Sequence, residues 1–196
     1  MIGKQAKVLS PGDQRRLMTV ARRGRQPERD RVMVLLAMRA GLRACEIAGL
    51  TWAMVLDANG RISQMIEVRS SIAKRGSGRR VPMHPEVARA LASLRAQLPP
   101  SGTTPESAVL RSLKGGSLRA NSVVNWFILK ARAAGLEGCS SHSGRRTFIT
   151  KAARAAHRAG ASLRDVQMLA GHRSIETTQG YIDGDSQAQR RLVSMI

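Results

Sequence analysis

Tyr181 is the only tyrosine in the chain, and His172 stands nine residues before it. A phenol attacks a phosphoryl centre only where a base takes its proton and cations offset the charge that develops. Three other segments carry such groups. Arg43 and Glu46 lie three apart on one helical turn straight after Gly41, so they can pair. An arginine held there by a carboxylate presents a fixed fork to a phosphate. Lys74 lies in a Gly/Ser-rich loop beside Arg75, Arg79 and Arg80, where a lysine can protonate a leaving oxygen. His142 and Arg145 share a face at the start of a helix, whose free N–H groups make an anion site. Taken singly, these are a packed aromatic, a surface ion pair worth under ~1 kcal/mol, a solvated basic turn and a chance His-x-x-Arg. Taken together they are the parts of a phosphodiester attack.

The elements that must position them are mostly helical. Ser10 caps a first helix, with Pro11 at its first position and Asp13 where the dipole favours an acid. A second helix, from about Pro27 to Ala40, is apolar nearly all round through Val32, Leu35, Leu36 and Met38, so it is central. Gly41 ends it, and a short helix over Arg43 to Ala48 follows. The period then changes. Trp52 to Leu56, Ile66 to Arg69 and Arg79 to Pro82 read as three strands of a small antiparallel sheet. Helices resume, with Val87, Leu91, Leu94 and Leu98 on one face. The Gly/Ser/Thr-rich loop after them has room for a short strand at Ala108 to Leu110. Asn121 to Ala134 puts Val124 and Ile128 on one stripe, with Val123, Phe127 and Ala131 next to it. A long helix starts at Ser141 or His142. Ser162 and Asp165 form a capping box for the next, which ends at Gly171, and a short helix carries Tyr181. Asp185 to Ile196 reads as a final helix. The fold class expected is mainly α with a small three-stranded antiparallel β-sheet.

Composition narrows the partners. Lysine and arginine total 33 against 13 acids, a net charge of +20 on 196 residues. Such a surface attracts a polyanion, and nucleic acid is the default; a basic structural protein such as a ribosomal component carries similar charge. Cys45 and Cys139 lack metal spacing and read as free thiols in a reducing compartment. His84, His142, His157 and His172 lack zinc-ligand spacing. No Gly-x-Ser-x-Gly elbow and no phosphate-binding Gly-Lys-Ser/Thr loop occurs. The N-terminus has no signal-peptide h-region, and Val32 to Met38 is too short to span a bilayer. One soluble intracellular domain is expected.

The order Arg, Lys, His-x-x-Arg, His, Tyr resembles the tyrosine recombinase (phage integrase) family. Its arginine motif corresponds to Gly41-Leu42-Arg43-Ala44-Cys45-Glu46-Ile47, and its sheet lysine to Lys74, ahead of Arg79-Arg80-Val81-Pro82. His142 and Arg145 match its His-x-x-Arg, followed by Arg146-Thr147-Phe148. Gly171-His172-Arg173-Ser174, Thr177-Thr178 and Tyr181 match its last motif. The resemblance runs from about residue 8 to 185, so residues 1–196 read as one catalytic domain with a tail helix at 186–196. It implies a catalytic-domain fold that cuts and rejoins DNA in site-specific recombination, without metal or nucleotide cofactor. Tyr181 would form a 3′-phosphotyrosyl link, with Arg43 and Arg145 on the non-bridging oxygens and Lys74 as general acid. His142 would assist the proton at the tyrosine, His172 would hydrogen-bond the phosphate, and Glu46 would orient Arg43. Arg75, Arg79, Arg80, Arg146 and Arg173 are the expected DNA contacts. It also implies a homo-tetramer on double-stranded DNA, a monomer or weak oligomer when free, and residence in a prokaryotic cytoplasm at the nucleoid. Leu192, Val193 and Ile196 of the tail would dock on a neighbour.

Two positions depart from the pattern. Gly144 replaces a frequent leucine before the motif arginine, which predicts looser packing beneath the site, and Ala170 replaces another before Gly-His. Most members also carry an N-terminal core-binding domain, expected here to be absent. Two alternatives share these features: a type IB topoisomerase, and a DNA-binding descendant without catalysis. Length and Thr-Thr-x-x-Tyr favour the recombinase over the first; the full catalytic set favours it over the second.

Overall fold

The computed structural model describes residues 6–181, 190 and 193–196, and for Arg75 the backbone alone. Helix α1 (Pro11–Arg22) begins with a reciprocal cap: Asp13 N–H donates to Ser10 Oγ at 3.1 Å and Ser10 N–H donates to the Asp13 carboxylate at 3.0 Å. Helix α2 (Pro27–Arg39) is the centre of the molecule. Every residue from Val32 to Met38 is buried, because α1, α4 (Pro85–Ala96) and α6 (Ser141–Ala156) all pack on it. A helix apolar all round is stable only when enclosed in this way. Gly41 then turns the chain with a positive φ of 63°. A Cβ there would lie 2.3 Å from Phe148 Cδ1, so position 41 requires glycine for space as well as for backbone conformation. Helix α3 (Ala44–Gly49) starts one residue later than expected, which makes Arg43 its N-cap.

The sheet has two strands rather than three. Strand β1 (Met65–Val68) pairs antiparallel with β2 (Arg79–Pro82), Met65 facing Pro82 and Val68 facing Arg79. Trp52–Met54 forms a 3-10 turn instead of a strand. The loop that follows α4 captures it: Trp52 N–H donates to Ser107 O at 3.1 Å, Ala53 N–H to Pro105 O at 2.8 Å, and the buried indole to Gly102 O at 3.0 Å. What remains of the expected strands is single bridges, Thr51 with Ala108 and Leu56 with Ile62.

Helix α5 (Ala120–Ala133) buries Val123, Phe127 and Ala131, while Ile128 is exposed, so its inner stripe lies one residue from the one expected. Helix α7 (Leu163–Ala170) has the Ser162–Asp165 capping box and ends at Gly171 in the left-handed conformation, φ 62°. Helix α8 (Ile175–Gln179) stops short of Tyr181, which follows it in a turn rather than on the helix. Ile149, Ala156, Val166 and Ala170 form a small second core, with Phe148 and Tyr181 packed against it. Of the expected tail helix, residues 185–189, 191 and 192 lie outside the described residues, and Val193, Met195 and Ile196 are exposed. Among the described residues no helix is long and apolar enough to cross a membrane.

Gly144 does not loosen the packing. A Cβ at that position would come 2.9 Å from Ala37 Cβ, so the missing side chain lets α6 settle directly on α2. Gly144→Leu should therefore destabilise the fold by about 1–3 kcal/mol through overpacking. Urea denaturation measures this; an unchanged midpoint would show that the contact yields freely.

Candidate active site

The site is assembled around one carboxylate. Glu46, at the third position of α3, reaches back to its own helix start, where Arg43 N–H donates to Oε2 at 2.8 Å. This half of a capping box places the carboxylate beside the Arg43 side chain, whose Nη1 donates to Oε1 at 3.0 Å. Arg79 arrives from β2 and grips the same carboxylate with both nitrogens, Nη1 to Oε1 at 2.7 Å and Nη2 to Oε2 at 2.9 Å. Glu46 has no exposed surface. Burial alone would raise its pKa, but hydrogen bonds and charge from Arg79, then Arg43, outweigh that and hold the carboxyl at about 2.

Arg145 enters from the first turn of α6 and is buried. It donates to Gly41 O and, at 2.5 Å, to Ala170 O. Arg79 Nε donates to Leu169 O at 2.8 Å and Arg43 Nη2 to Gly171 O at 3.2 Å. Three successive carbonyls at the end of α7 are thus each taken by a different arginine. These are the acceptors a helix leaves unpaired, at its negative end. Burial, then the charges of Arg43 and Arg79, lowers the Arg145 pKa to about 10, so it stays cationic at neutral pH.

His172 follows Gly171 directly. Arg145 Nη2 lies 3.1 Å from its Nε2, and its Nδ1 lies 3.0 Å from Thr178 Oγ1. A guanidinium has no lone pair to offer, so Nε2 accepts and Nδ1 carries the proton. Burial and the charges of Arg145, Arg43 and Arg79 depress its pKa to about 4, which keeps the ring neutral at pH 7. Tyr181 stacks on this ring, with centroids 5.5 Å apart and planes 24° from parallel. The Arg146 guanidinium sits over the Tyr181 ring, 5.2 Å from its centroid. Thr150 Oγ1 donates to Tyr181 O at 3.4 Å.

Arg43, Lys74, His142, Arg145, His172 and Tyr181 line one open cavity of about 350 Å³. Lys74 and His142 are exposed at its rim, Lys74 on a 3-10 turn (Lys74–Gly76) between β1 and β2, His142 at the N-terminus of α6. Burial, then Arg145, Lys74 and Arg43, push the His142 pKa below its ordinary value, leaving an imidazole able to take a proton. Ser77, Gly171, Arg173, Ser174 and Thr177 complete the lining.

Arg79 is a correction. It was expected to touch DNA, but its side chain is 6% exposed and committed to Glu46 and Leu169 O. The signal was present in the strand: β2 buries Val81, so Arg79 shares the inward face and Arg80 the outward one, and Arg80 is indeed exposed. Thr178, buried and accepting from His172 Nδ1, was quoted as motif but given no role. The Arg75 side chain lies outside the described residues.

Comparison with known proteins follows the same lines. Tyrosine recombinase XerC from Brucella suis biovar 1 (strain 1330) is 33% identical over 162 residues, 81% of this chain and 47% of that protein. Tyrosine recombinase XerD from Shewanella oneidensis is 33% identical over 158 residues, 78% of this chain and 48% of that protein. The chain spans about half the length of the curated relatives it matches. The crystal structure of XerA recombinase matches with a TM-score of 0.72 at 24% identity, covering 100% of this chain and 65% of that one. The Tn1549 transposon integrase, in complex with a circular intermediate DNA, matches with a TM-score of 0.77 at 18% identity, covering 100% and 67%. Both share the mainly helical fold with its small antiparallel sheet. The sequence pattern of the phage integrase family matches residues 7–188, and the chain belongs to that family.

Proposed function

We propose that the chain cuts and rejoins double-stranded DNA as a site-specific recombinase, through a transient 3′-phosphotyrosyl link at Tyr181. The observation that carries this reading is the single cavity that brings Tyr181 together with Arg43, Lys74, His142, Arg145 and His172. The family relatives named as tyrosine recombinases and the DNA held by the Tn1549 integrase support it.

In the proposed step the Tyr181 oxygen bonds to phosphorus as the bond from phosphorus to the 5′-oxygen breaks. Neutral His142 takes the phenolic proton and the Lys74 ammonium gives one to the leaving oxygen. Arg43 and Arg145 face the non-bridging oxygens, where charge builds. The phosphotyrosyl ester keeps the energy of the original diester, so a 5′-hydroxyl reverses the step without a nucleotide. His172 was expected to hydrogen-bond the phosphate. In this geometry both of its nitrogens are engaged, by Arg145 and Thr178, and its part is to aim Arg145 and to back the tyrosine ring.

The test uses nicked duplexes selected by the protein from a random library, which trap the cleaved strand. Wild type should form a covalent adduct, and Tyr181→Phe should bind the same duplex and form none. A wild type that binds and leaves no adduct would sink the reading in favour of a DNA-binding protein. The second-order rate constant for adduct formation reports groups of the free protein. His172 and His142 act unprotonated and their pKa values are depressed, so activity is lost as pH falls through those values. The decline should therefore lie below the ordinary histidine pKa, as His142 gains its proton, with His172 charging only at about 4. A decline centred near the unperturbed histidine pKa of about 6.5 would contradict it.

A further inference from the structure

We infer that Arg79 is a positioning residue of the cleavage site: it occupies Glu46 so that the carboxylate aims Arg43 without neutralising it. The inference rests on the strand-cleavage reading of the cavity.

Two guanidinium groups share one carboxylate, so the trio carries one positive charge in excess. The geometry decides where that charge lies. Arg79 holds both carboxylate oxygens side-on, at 2.7 and 2.9 Å, the planar two-point match that binds arginine to carboxylate most tightly. Arg43 meets the carboxylate with one side-chain nitrogen, at 3.0 Å, and lines the cavity. Arg79 does not line it, and its side chain is 6% exposed against 19% for Arg43. The carboxylate is therefore spent on the hidden arginine, and the uncompensated charge faces the space a phosphate would fill. Without Arg79, Glu46 would close on Arg43 as an ordinary neutral pair.

Arg79 also ties three separate segments into one frame. It begins β2, five residues after Lys74, and its Nε donates to Leu169 O at the end of α7, three residues before His172. Gly78 fixes the base of the hairpin, since a Cβ there would lie 2.9 Å from Ser70 N and 3.0 Å from Val68 O. Gly171 lets the Arg79 side chain lie flat across the helix end, where a Cβ would come 3.0 Å from Arg79 Cδ. The carboxylate, the hairpin with Lys74 and the turn with His172 thus hold one another through a single side chain.

A buried ion pair of purely structural use would place Arg79 in the same spot, so the test needs readouts that such a role leaves alone. Arg79→Lys and Arg79→Met are compared with wild type on the selected nicked duplex. Three quantities are followed: DNA affinity, single-turnover adduct formation at saturating DNA, and its pH dependence. Lysine keeps the charge and loses the two-point hold. Arg79→Lys should therefore bind DNA as wild type does and cut roughly 10- to 100-fold more slowly, the scale of a small misplacement of reacting groups. In Arg79→Met, Glu46 keeps only Arg43 against its burial, and His172 loses one of the like charges that depress it beside Arg145 and Arg43. Both pKa values rise, so cleavage should fail at higher pH on acidification than in wild type. Thermal melts set an assay temperature at which each variant is folded, and Arg79→Lys alone decides the matter if Arg79→Met does not fold.

Wild-type rate and pH profile in Arg79→Lys would overturn the inference. So would weaker binding with a salt slope reduced by about one phosphate contact and an unchanged rate at saturation, the signature of a DNA contact. Absence of an adduct from wild type itself would instead overturn the cleavage reading and this inference together.

Discussion

Three arginines that meet on one helix end, with one carboxylate bonded to two of them among the described residues, set the terms for the rest of this structure. Arg43, Arg79 and Arg145 come from α3, β2 and α6 and converge on the last carbonyls of α7. Like charges in a half-dry site repel, and leaving buried charges unpaired costs several kcal/mol. Glu46 and the α7 carbonyls offset that cost without removing the excess charge. A site already held in this state needs little rearrangement when a diester anion arrives, which is the physical content of electrostatic preorganisation.

The scaffold serves this convergence. An enclosed α2 supplies Gly41, whose carbonyl receives Arg145 and whose missing side chain admits Phe148. Gly144 brings α6 against α2, which sets where Arg145 points. A side chain at either place would have to push its neighbours aside, and a misplacement of about 1 Å at the reacting groups is enough to slow catalysis about 100-fold.

Much of this was legible in the sequence. The helix starts were, because Ser10 and Ser162 each carry an acid three residues on, and a cap is a local interaction. The central place of α2 was, because an unbroken apolar run has few other homes. The six cavity residues were, because their types and order match a family motif set. What escaped depended on partners far along the chain. Trp52 reads as strand until Ser107 O and Gly102 O take its backbone and indole N–H groups and Pro105 O takes the N–H of Ala53. The stripe of α5 is ambiguous by one residue because Val123 and Val124 are equally apolar, and only packing chooses. Arg79 looked like one more cation on a basic hairpin, since nothing local tells an arginine that faces a buried carboxylate from one that faces solvent. Gly144 was misjudged because the space a side chain would need belongs to another helix.

The tyrosine rests on a core of its own. Beside the small core of Ile149, Ala156, Val166 and Ala170, the arginine bonds to Leu169, Ala170 and Gly171 join that segment to the main body. Occupancy of the cavity and cohesion of the segment are then linked equilibria. An anion drawn to the spare positive charge lowers the repulsion that strains those same bonds, and so tightens the unit that presents the nucleophile. On the proposed reading, the ligand that is to be cut helps to complete the fold that cuts it.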